Sequence, residues 1–404
     1  MQQNFSTATL NKIKYLVGDA NQLSRISELP AKKPFDSQIV ELLNSVSRVL
    51  MSNPKSKAYS DVVTFAFWIR KGSVLKLKER FANEDGELRF GRGVAFHIAP
   101  SNVPVNFAYS LVSGLLTGNA NVVRVPSKEF EQVNLIADAF NTALEEYKEL
   151  TGYVLLLRYD RDKEVNDLLS SLADTRIIWG GDETIKALRE SELPPRSTEI
   201  TFADRFSLSI IDADKYLDLD DKNAFALDFY NDTYFSDQNA CTSPRIVVWT
   251  GSHIEEAKGV FWEKLHDMVS KKYSFQDIQS VNKLTAVYKA VEAIEGARLV
   301  AGKDNLITRI SLDGIPKDLM NYRENSGFFF EYDCDDILDI RAVCDDKRCQ
   351  TIGLLGSTEL LKPLFESGVK GIDRIVPIGK TMDFDLIWDG YDLPTMMTRK
   401  VVLA

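Results

Sequence analysis

Residues Gly93–Lys128 read GVAFHIAPSNVPVNFAYSLVSGLLTGNANVVRVPSK. The stretch opens on a short apolar run, GVAFHIAP, that stops at a proline and reads as a buried strand. VPVNFAYSLVSGLLTG follows as a helix carrying small residues, and NANVVRVP is a second strand. The alternation continues: EFEQVNLIADAFNTALEEYKEL as helix, GYVLLLRYD as strand, KEVNDLLSSLAD as helix, TRIIWGG as strand and DETIKALRES as helix. Strands and helices alternating through short links build a parallel sheet covered on both faces, so the fold class is α/β. Such sheets bind ligands outside the carboxyl ends of their strands. Three loops therefore matter: APSNVP (Ala99–Pro104), VPSK (Val125–Lys128) and WGGDE (Trp179–Glu183).

Upstream, the chain to about Phe81 reads as helices. DSQIVELLNSVSRVLM has apolar residues at helical spacing, and SDVVTFAFWIRK is a second apolar-faced helix. A second module starts near Ile211, with DKNAFALDFYNDTYFSD as helix, RIVVWTG as strand and IEEAKGVFWEKLHDMVSKKY as an amphipathic helix. The last stretch, PTMMTRKVVLA, reads as a terminal strand. An exposed strand edge invites pairing with another subunit, which predicts a homo-oligomer; the alternative is a strand completing this chain's own sheet.

The 404 residues are 44% hydrophobic, enough for two or three domains. A net charge of −10 gives no electrostatic reason to favour nucleic acid or an anionic membrane. The opening MQQNFSTATLNKIKYL lacks the apolar core of a signal peptide, and no apolar run reaches the roughly 18 residues of a membrane span. The expectation is a cytoplasmic protein with no membrane insertion. Of the cysteines, Cys334, Cys344 and Cys349 read as small apolar or surface residues, and their spacing suits no zinc site. Cys241, in TYFSDQNACTSPRIVVW (Thr233–Trp249), lies between a polar helical stretch and an apolar β-branched run. It is either a core residue or a nucleophile.

The dinucleotide fingerprint of three spaced glycines is absent. PIGKT (Pro377–Thr381) looks like the end of a phosphate-binding loop, but Arg374 stands where that loop needs a glycine. Gly180 and Gly181 fall at a strand-to-helix junction, where backbone N–H groups attract phosphate, and Asp182 suits an N-cap. Asn102 is set between two prolines; it is either a turn residue or an amide held rigidly enough to donate to a developing oxyanion.

These blocks fall in a known order. GVAFHIAPSNVPVNFAYSLVSGLLTGNANVVRVPSK, ADTRIIWGGDETIKAL and DQNACTSPR together resemble the aldehyde dehydrogenase superfamily. The chain is more similar still to the LuxC-type acyl-CoA reductases, through NACTSPR, CQTIGLLG and GIDRIVPIGKTMDFDLIWDG. The resemblance covers roughly residues 85 to 400 and implies an aldehyde dehydrogenase-like fold of two α/β domains with an oligomerising terminal strand. The corresponding segments are residues 1–84 (helical part of the cofactor domain), 85–210 (cofactor domain), 211–379 (catalytic domain) and 380–404 (return and oligomerisation strand). It makes Cys241 the nucleophile that takes an acyl group from a thioester, with Asn102 stabilising the oxyanion. The implied acyl donor is acyl-CoA, an acylated carrier protein or an acyl-activating ligase, with such a synthetase as a partner.

Two departures refine the implied activity. Aldehyde oxidisers carry a water-activating glutamate before a Gly-Gly pair; here STEITFADRFSLSIIDAD has no such pair, and Glu199 is out of register. A missing hydrolytic base suits a reductase. In the cofactor loop, Val125-Pro126-Ser127-Lys128 stands where the superfamily has Lys-Pro-Ser-Glu. Lys128 and Arg124 would attract a 2′-phosphate, which favours NADPH over NADH; the alternative is that both cations face solvent. Pro100, Ser101, Pro126, Ser127, Gly180, Gly181 and Asp182 complete the implied cofactor loops, and Glu331 in GFFFEYD is carried over as the ribose-binding glutamate. Asp373 and Arg374 belong to the LuxC-type signature, with domain bridging as likely a task as catalysis. The rivals are an aldehyde dehydrogenase running oxidatively, which would reduce NAD with aldehyde and no thiol acceptor, and a non-catalytic partner subunit, which would tolerate loss of Cys241.

Overall fold

The structure is a computed structural model that describes residues 6–81, 88–101 and 103–402. The chain forms two compact units, Met1–Ala203 with Leu386–Ala404, and Asp204–Asp385. The crossing from the first to the second falls ahead of Ile211, between two adjacent strands of different sheets.

The first unit contains β1 (Lys14–Val17), β2 (Leu88–Gly91), β3 (Val94–Ile98), β4 (Ala120–Arg124), β5 (Val154–Arg158), β6 (Thr175–Trp179) and β7 (Thr198–Phe202). Six of them make one sheet in the order β1-β5-β4-β3-β6-β7. All its pairings are parallel except β1 with β5. Every residue of β3 and β6 is buried, as strands covered on both faces require. The helix Asn106–Leu116 packs on β3 and β4, and Gly114 allows its close approach: a Cβ there would meet Asn121 Oδ1 at 1.8 Å. His97 of β3 ties these elements together. Its ring nitrogens lie 2.7 Å from Ser110 Oγ and 3.0 Å from Asn121 Oδ1, and Trp179 Nε1 donates to the same Ser110 Oγ at 2.9 Å. Burial holds its pKa down to about 4, so the ring is a neutral packing element at physiological pH.

The N-terminal helices form at Ser37–Ser52, Ser60–Trp68 and Lys71–Arg80, but β1 precedes them as an edge strand the residue pattern does not announce. The terminal strand also forms, as β17 (Thr398–Val401), after the short β15 (Ile387–Trp388) and β16 (Tyr391–Asp392). One of its edges is paired within the chain. β17 runs antiparallel to this chain's own β2, Thr398 opposite Gly91 and Val401 opposite Leu88. Asn119 Nδ2 and Arg92 Nε fix the approach by donating to Met397 O (3.0 Å) and Met396 O (2.7 Å). β2 and β17 thus make a separate two-stranded sheet.

The second unit contains β8 (Phe206–Asp212), β9 (Pro244–Thr250), β10 (Arg298–Val300), β11 (Thr308–Leu312), β12 (Phe328–Asp333), β13 (Cys349–Leu355) and β14 (Arg374–Pro377). They form one sheet in the order β10-β11-β12-β9-β8-β13-β14, parallel except for β10 against β11. One core packs Ile246, Val248, Ile310 and Phe330 with the helix Asp277–Ala293. The other gathers Phe229, Trp249, Phe261, Trp262 and Phe329. Among the described residues, no helix is long and apolar enough to cross a membrane, and no group of three His, Cys, Asp or Glu could hold a metal.

Candidate active site

In the first unit, β4, β3 and β6 are neighbours, and parallel pairing puts their carboxyl ends on one edge of the sheet. The loops carrying Pro100 and Ser101, Val125–Lys128, and Gly180–Asp182 therefore start side by side. The chain leaves β3 for β4 on one flank and returns to β6 on the other, so this edge is the sheet's topological switch point. Asn102 lies outside the described residues. Ser127, Lys128 and Gly181 are exposed, whereas Val125 is buried. The Lys128 ammonium lies 5.1 Å from the Phe130 ring centroid. The Arg124 guanidinium stacks 4.7 Å from the Tyr159 ring centroid, and its Nη2 donates to Tyr159 O at 3.4 Å. Arg158, which the residue pattern did not single out, closes the row at the end of β5, its Nε donating to Pro126 O at 3.3 Å.

Gly181 is the N-cap of the helix Asp182–Leu188, with φ −65°. This corrects Asp182, which lies in the first turn rather than capping it; a carboxylate there still complements the helix dipole. Neither its φ nor any neighbour requires glycine at 181, since a Cβ would meet nothing within 4 Å. The open space over that backbone, on the same edge of the sheet as the cations of the β4 and β5 ends, fits a phosphate-bearing cofactor.

In the second unit, the cysteine loop is built on buried polar groups. The helix Lys222–Asp232 ends, a short turn Tyr234–Ser236 follows, and Asp237 and Gln238 take left-handed conformations with φ 51° and 52°. Gln238 is fully buried and clamps the loop to the turn before β12. Its Oε1 accepts from Gly327 N (2.8 Å) and Phe328 N (3.1 Å), and its Nε2 donates to Pro244 O (3.1 Å) and Phe328 O (3.2 Å). Arg245 lies behind the loop, 8% exposed, donating to Gln238 O at 2.6 Å and Glu324 O at 2.8 Å. Burial first, and then the charge of Arg323, lowers its pKa to about 10, so it stays cationic near neutral pH. Its field reaches Cys241, whose thiolate charge acts on it in return. Cys241 is half-buried, and its carbonyl accepts from Ser207 Oγ at 2.8 Å. The other three cysteines are buried. Lys283 adds a second buried cation, its ammonium donating to Asn305 O (2.5 Å) and Ser326 O (2.8 Å).

Glu331 is placed elsewhere. It is 2% exposed, its Oε1 accepts from Trp249 Nε1 (2.9 Å) and Trp262 Nε1 (2.6 Å), and Arg309 lies 3.3 Å from its Oε2. Both oxygens are engaged inside the core, so Glu331 is a structural carboxylate and the ribose assignment is withdrawn. Glu324 is a half-buried carboxylate on the turn that Gln238 and Arg245 hold. Glu199 is engaged as well: Arg176 Nε donates to it at 2.9 Å and Arg189 Nε at 2.7 Å. The PIGKT turn is filled from within, Gly379 N and Thr381 N donating to the buried Asp232 carboxylate at 2.6 and 3.1 Å. Asp373 pairs with Arg205 (2.5 Å), and Arg374 Nη2 donates to Lys380 O and Thr381 O, so both signature residues brace this unit.

A two-unit α/β chain with this sheet order and cysteine loop has the aldehyde dehydrogenase fold. Solved structures agree. An indole-3-acetaldehyde dehydrogenase from P. syringae in complex with NAD+ superposes with a TM-score of 0.66 at 14% identity, over 97% of this chain and 87% of that one. A salicylaldehyde dehydrogenase from Pseudomonas putida G7 gives 0.65 at 16% identity, over 94% and 87%. Within that fold, residues 16–399 match the model of the acyl-CoA reductase (LuxC) family, and the chain belongs to that family. Among curated relatives, a long-chain acyl-protein thioester reductase of Aliivibrio fischeri is 29% identical over 233 residues, 57% of this chain and 46% of that protein. Another from Photorhabdus laumondii is 23% identical over 305 residues, 72% of this chain and 59% of that protein. The chain thus spans about half the length of the curated relatives it matches.

Proposed function

We propose that the chain reduces an acyl thioester to an aldehyde through a covalent acyl-Cys241 intermediate, with NADPH as the preferred cofactor. The observation that carries this reading is the cysteine loop, in which Gln238 and a buried Arg245 fix the backbone around a half-exposed thiol. In the first step the Cys241 thiolate adds to the acyl carbonyl, and the tetrahedral oxyanion collapses with loss of the donor's thiolate. Arg245 favours the thiolate by its charge. Asn102 donates to the oxyanion in both tetrahedral states. A reduced nicotinamide cofactor supplies the hydride that the acyl carbon needs to become an aldehyde. Collapse of the second oxyanion then returns the Cys241 thiolate.

Glu199, the carboxylate nearest in sequence to the oxidisers' glutamate, is tied to Arg176 and Arg189, which supports reduction over oxidation. Arg124, Lys128 and Arg158 support the 2′-phosphate of NADPH. The names of the curated relatives support a long-chain acyl group, delivered by an acylated protein such as an acyl-activating synthetase or by CoA. Intact-mass spectrometry tests the reading. Mixed with a panel of acyl-CoAs without nicotinamide, the protein should gain one acyl mass, lose it in Cys241→Ala, and release aldehyde on adding NADPH. Absence of an adduct with acyl-CoA and with an acylated synthetase would refute it.

A further inference from the structure

The helix Asp277–Ala293 turns polar side chains inward where packing alone would call for apolar ones. Ala286, Val287 and Ala290 are buried along it, and so is Lys283. One turn earlier, on the same face, Gln279 is half-buried. Its Oε1 accepts from Gln276 N at 2.7 Å, which fixes the amide. Its Nε2 then donates to Tyr273 Oη at 2.9 Å and to Asp237 Oδ2 at 3.3 Å. Tyr273 Oη in turn donates to Asp237 Oδ1. Tyr273 is the C-cap of the helix Ile254–Lys272, and its ring packs edge-on against Tyr234 with centroids 5.1 Å apart. Burial first, and then the bond to Asp237, push its pKa up to about 12, so the hydroxyl remains a donor at neutral pH. Three side chains thus close a ring of hydrogen bonds in which both oxygens of Asp237 are engaged.

Asp237 is the first of the two left-handed residues that lead into the cysteine loop. Gln238 is held from the side of β12, whereas Asp237 is held from the ends of two helices. The segment between Asp237 and the nucleophile is closed on itself. Asn239 N donates to Ser236 O at 2.9 Å, and the Ser236 and Ser243 hydroxyls lie 3.1 Å apart. A turn closed in this way moves as one body, so the backbone angles at Asp237 set where Cys241 lies. We propose that Tyr273 is a positioning residue for Cys241, acting through Asp237 to fix the turn that presents the thiol to the acyl carbon. Cys241 attacks an acyl carbon only on the thioester-reductase reading, and this role rests on that reading.

Intact-mass time courses of Cys241 acylation test it, with acyl-CoAs and an acylated synthetase as donors. Tyr273→Phe removes one oxygen and keeps the ring against Tyr234. The maximal acylation rate should fall about 10-fold while the half-saturating donor concentration stays within about twofold, because the attack geometry is disturbed and donor binding is not. Alkylation by iodoacetamide, which needs no oxyanion alignment, should change by less than about twofold. Asp237→Ala should slow acylation at least as far, and adding Tyr273→Phe to it should cost nothing more. Asp237→Asn tolerates the left-handed turn and keeps an acceptor for the hydroxyl, so it should recover most of the rate. An unchanged maximal rate in Tyr273→Phe would overturn the role. Equal losses in acylation and alkylation, or effects of Tyr273→Phe and Asp237→Ala that simply add, would overturn it as well. A wild type acylated by none of these donors would overturn the thioester reading itself, and this role with it.

Discussion

Replacing Gln238 by leucine keeps the volume of a fully buried side chain and removes its four hydrogen bonds. The Pro244 and Phe328 carbonyls have second lone pairs and lose least. The Gly327 and Phe328 N–H groups lose their acceptor outright. At about 1–3 kcal/mol for each buried unsatisfied donor, the two cost about 2–4 kcal/mol after partial relaxation. Gln238 also sits at φ 52°, a conformation worth about 1–2 kcal/mol of strain that the clamp has held in place. The loop should therefore open locally before the unit unfolds. Hydrogen exchange of peptides covering residues 324–330 should speed up at Gly327 and Phe328 by on the order of 100-fold. Alkylation of Cys241 by iodoacetamide should lose its dependence on the folded loop. Gln238→Glu separates the two halves of the clamp, since it keeps an acceptor for the N–H groups and loses the donor to the carbonyls. It should protect the amides better than leucine does. Unchanged exchange at both amides in Gln238→Leu would refute the clamp.

Arg245→Leu removes a cation whose field favours the thiolate, so the midpoint of Cys241 alkylation against pH should move up; no shift would mean that Arg245 only holds carbonyls. Asp232 has its pKa raised to about 6 by burial, against the opposing N–H donors of Gly379 and Thr381. The folded state therefore holds the proton more tightly than the unfolded state, and this group's contribution is fully present below pH 4 and is lost as pH rises to 6. Asp232→Asn should flatten that fall, worth about 3 kcal/mol across the window, in urea titrations at a series of pH values. Glu331→Leu should destabilise by several kcal/mol, about 1–3 for each indole N–H left without an acceptor, while fluorescence titration gives an unchanged NADPH dissociation constant.

The first unit was legible because its elements carry local signals. A buried parallel strand is a short apolar run closed by a turn residue, and each of β3, β4, β5 and β6 is one. β1 was not, because four residues with only Val17 buried make no pattern, and the strand exists by pairing with β5, far along the chain. Cys241 was legible from its loop, but the groups that hold it were not. Arg245 was quoted within a motif without a role, and Lys283 falls at an ordinary helical position. Burial and hydrogen bonding are facts of tertiary structure, and a buried lysine is spelled like an exposed one. Glu331 shows the converse error: a carboxylate within reach in sequence, whose strand turns it toward two tryptophans.

The polar residues around Cys241 have a common logic. The proposed reaction forms an oxyanion twice at one carbon, so the donors must stand in the same place for two unlike events, loss of a thiol and arrival of a hydride. Preorganised donors supply that stabilisation only if the backbone carrying them does not move between steps. A loop with two consecutive left-handed non-glycine residues would not hold such a place unaided. Here Gln238 bonds four backbone positions, Arg245 bonds the carbonyls of Gln238 and Glu324, and Lys283 bonds Ser326 O on the same turn. Each burial is costly alone and is offset only when its partners are in place, so the three side chains stand or fall as a set. Loss of any one should therefore loosen the Glu324–Gly327 turn and the cysteine loop together, and double substitutions among them should cost less than the sum of the singles.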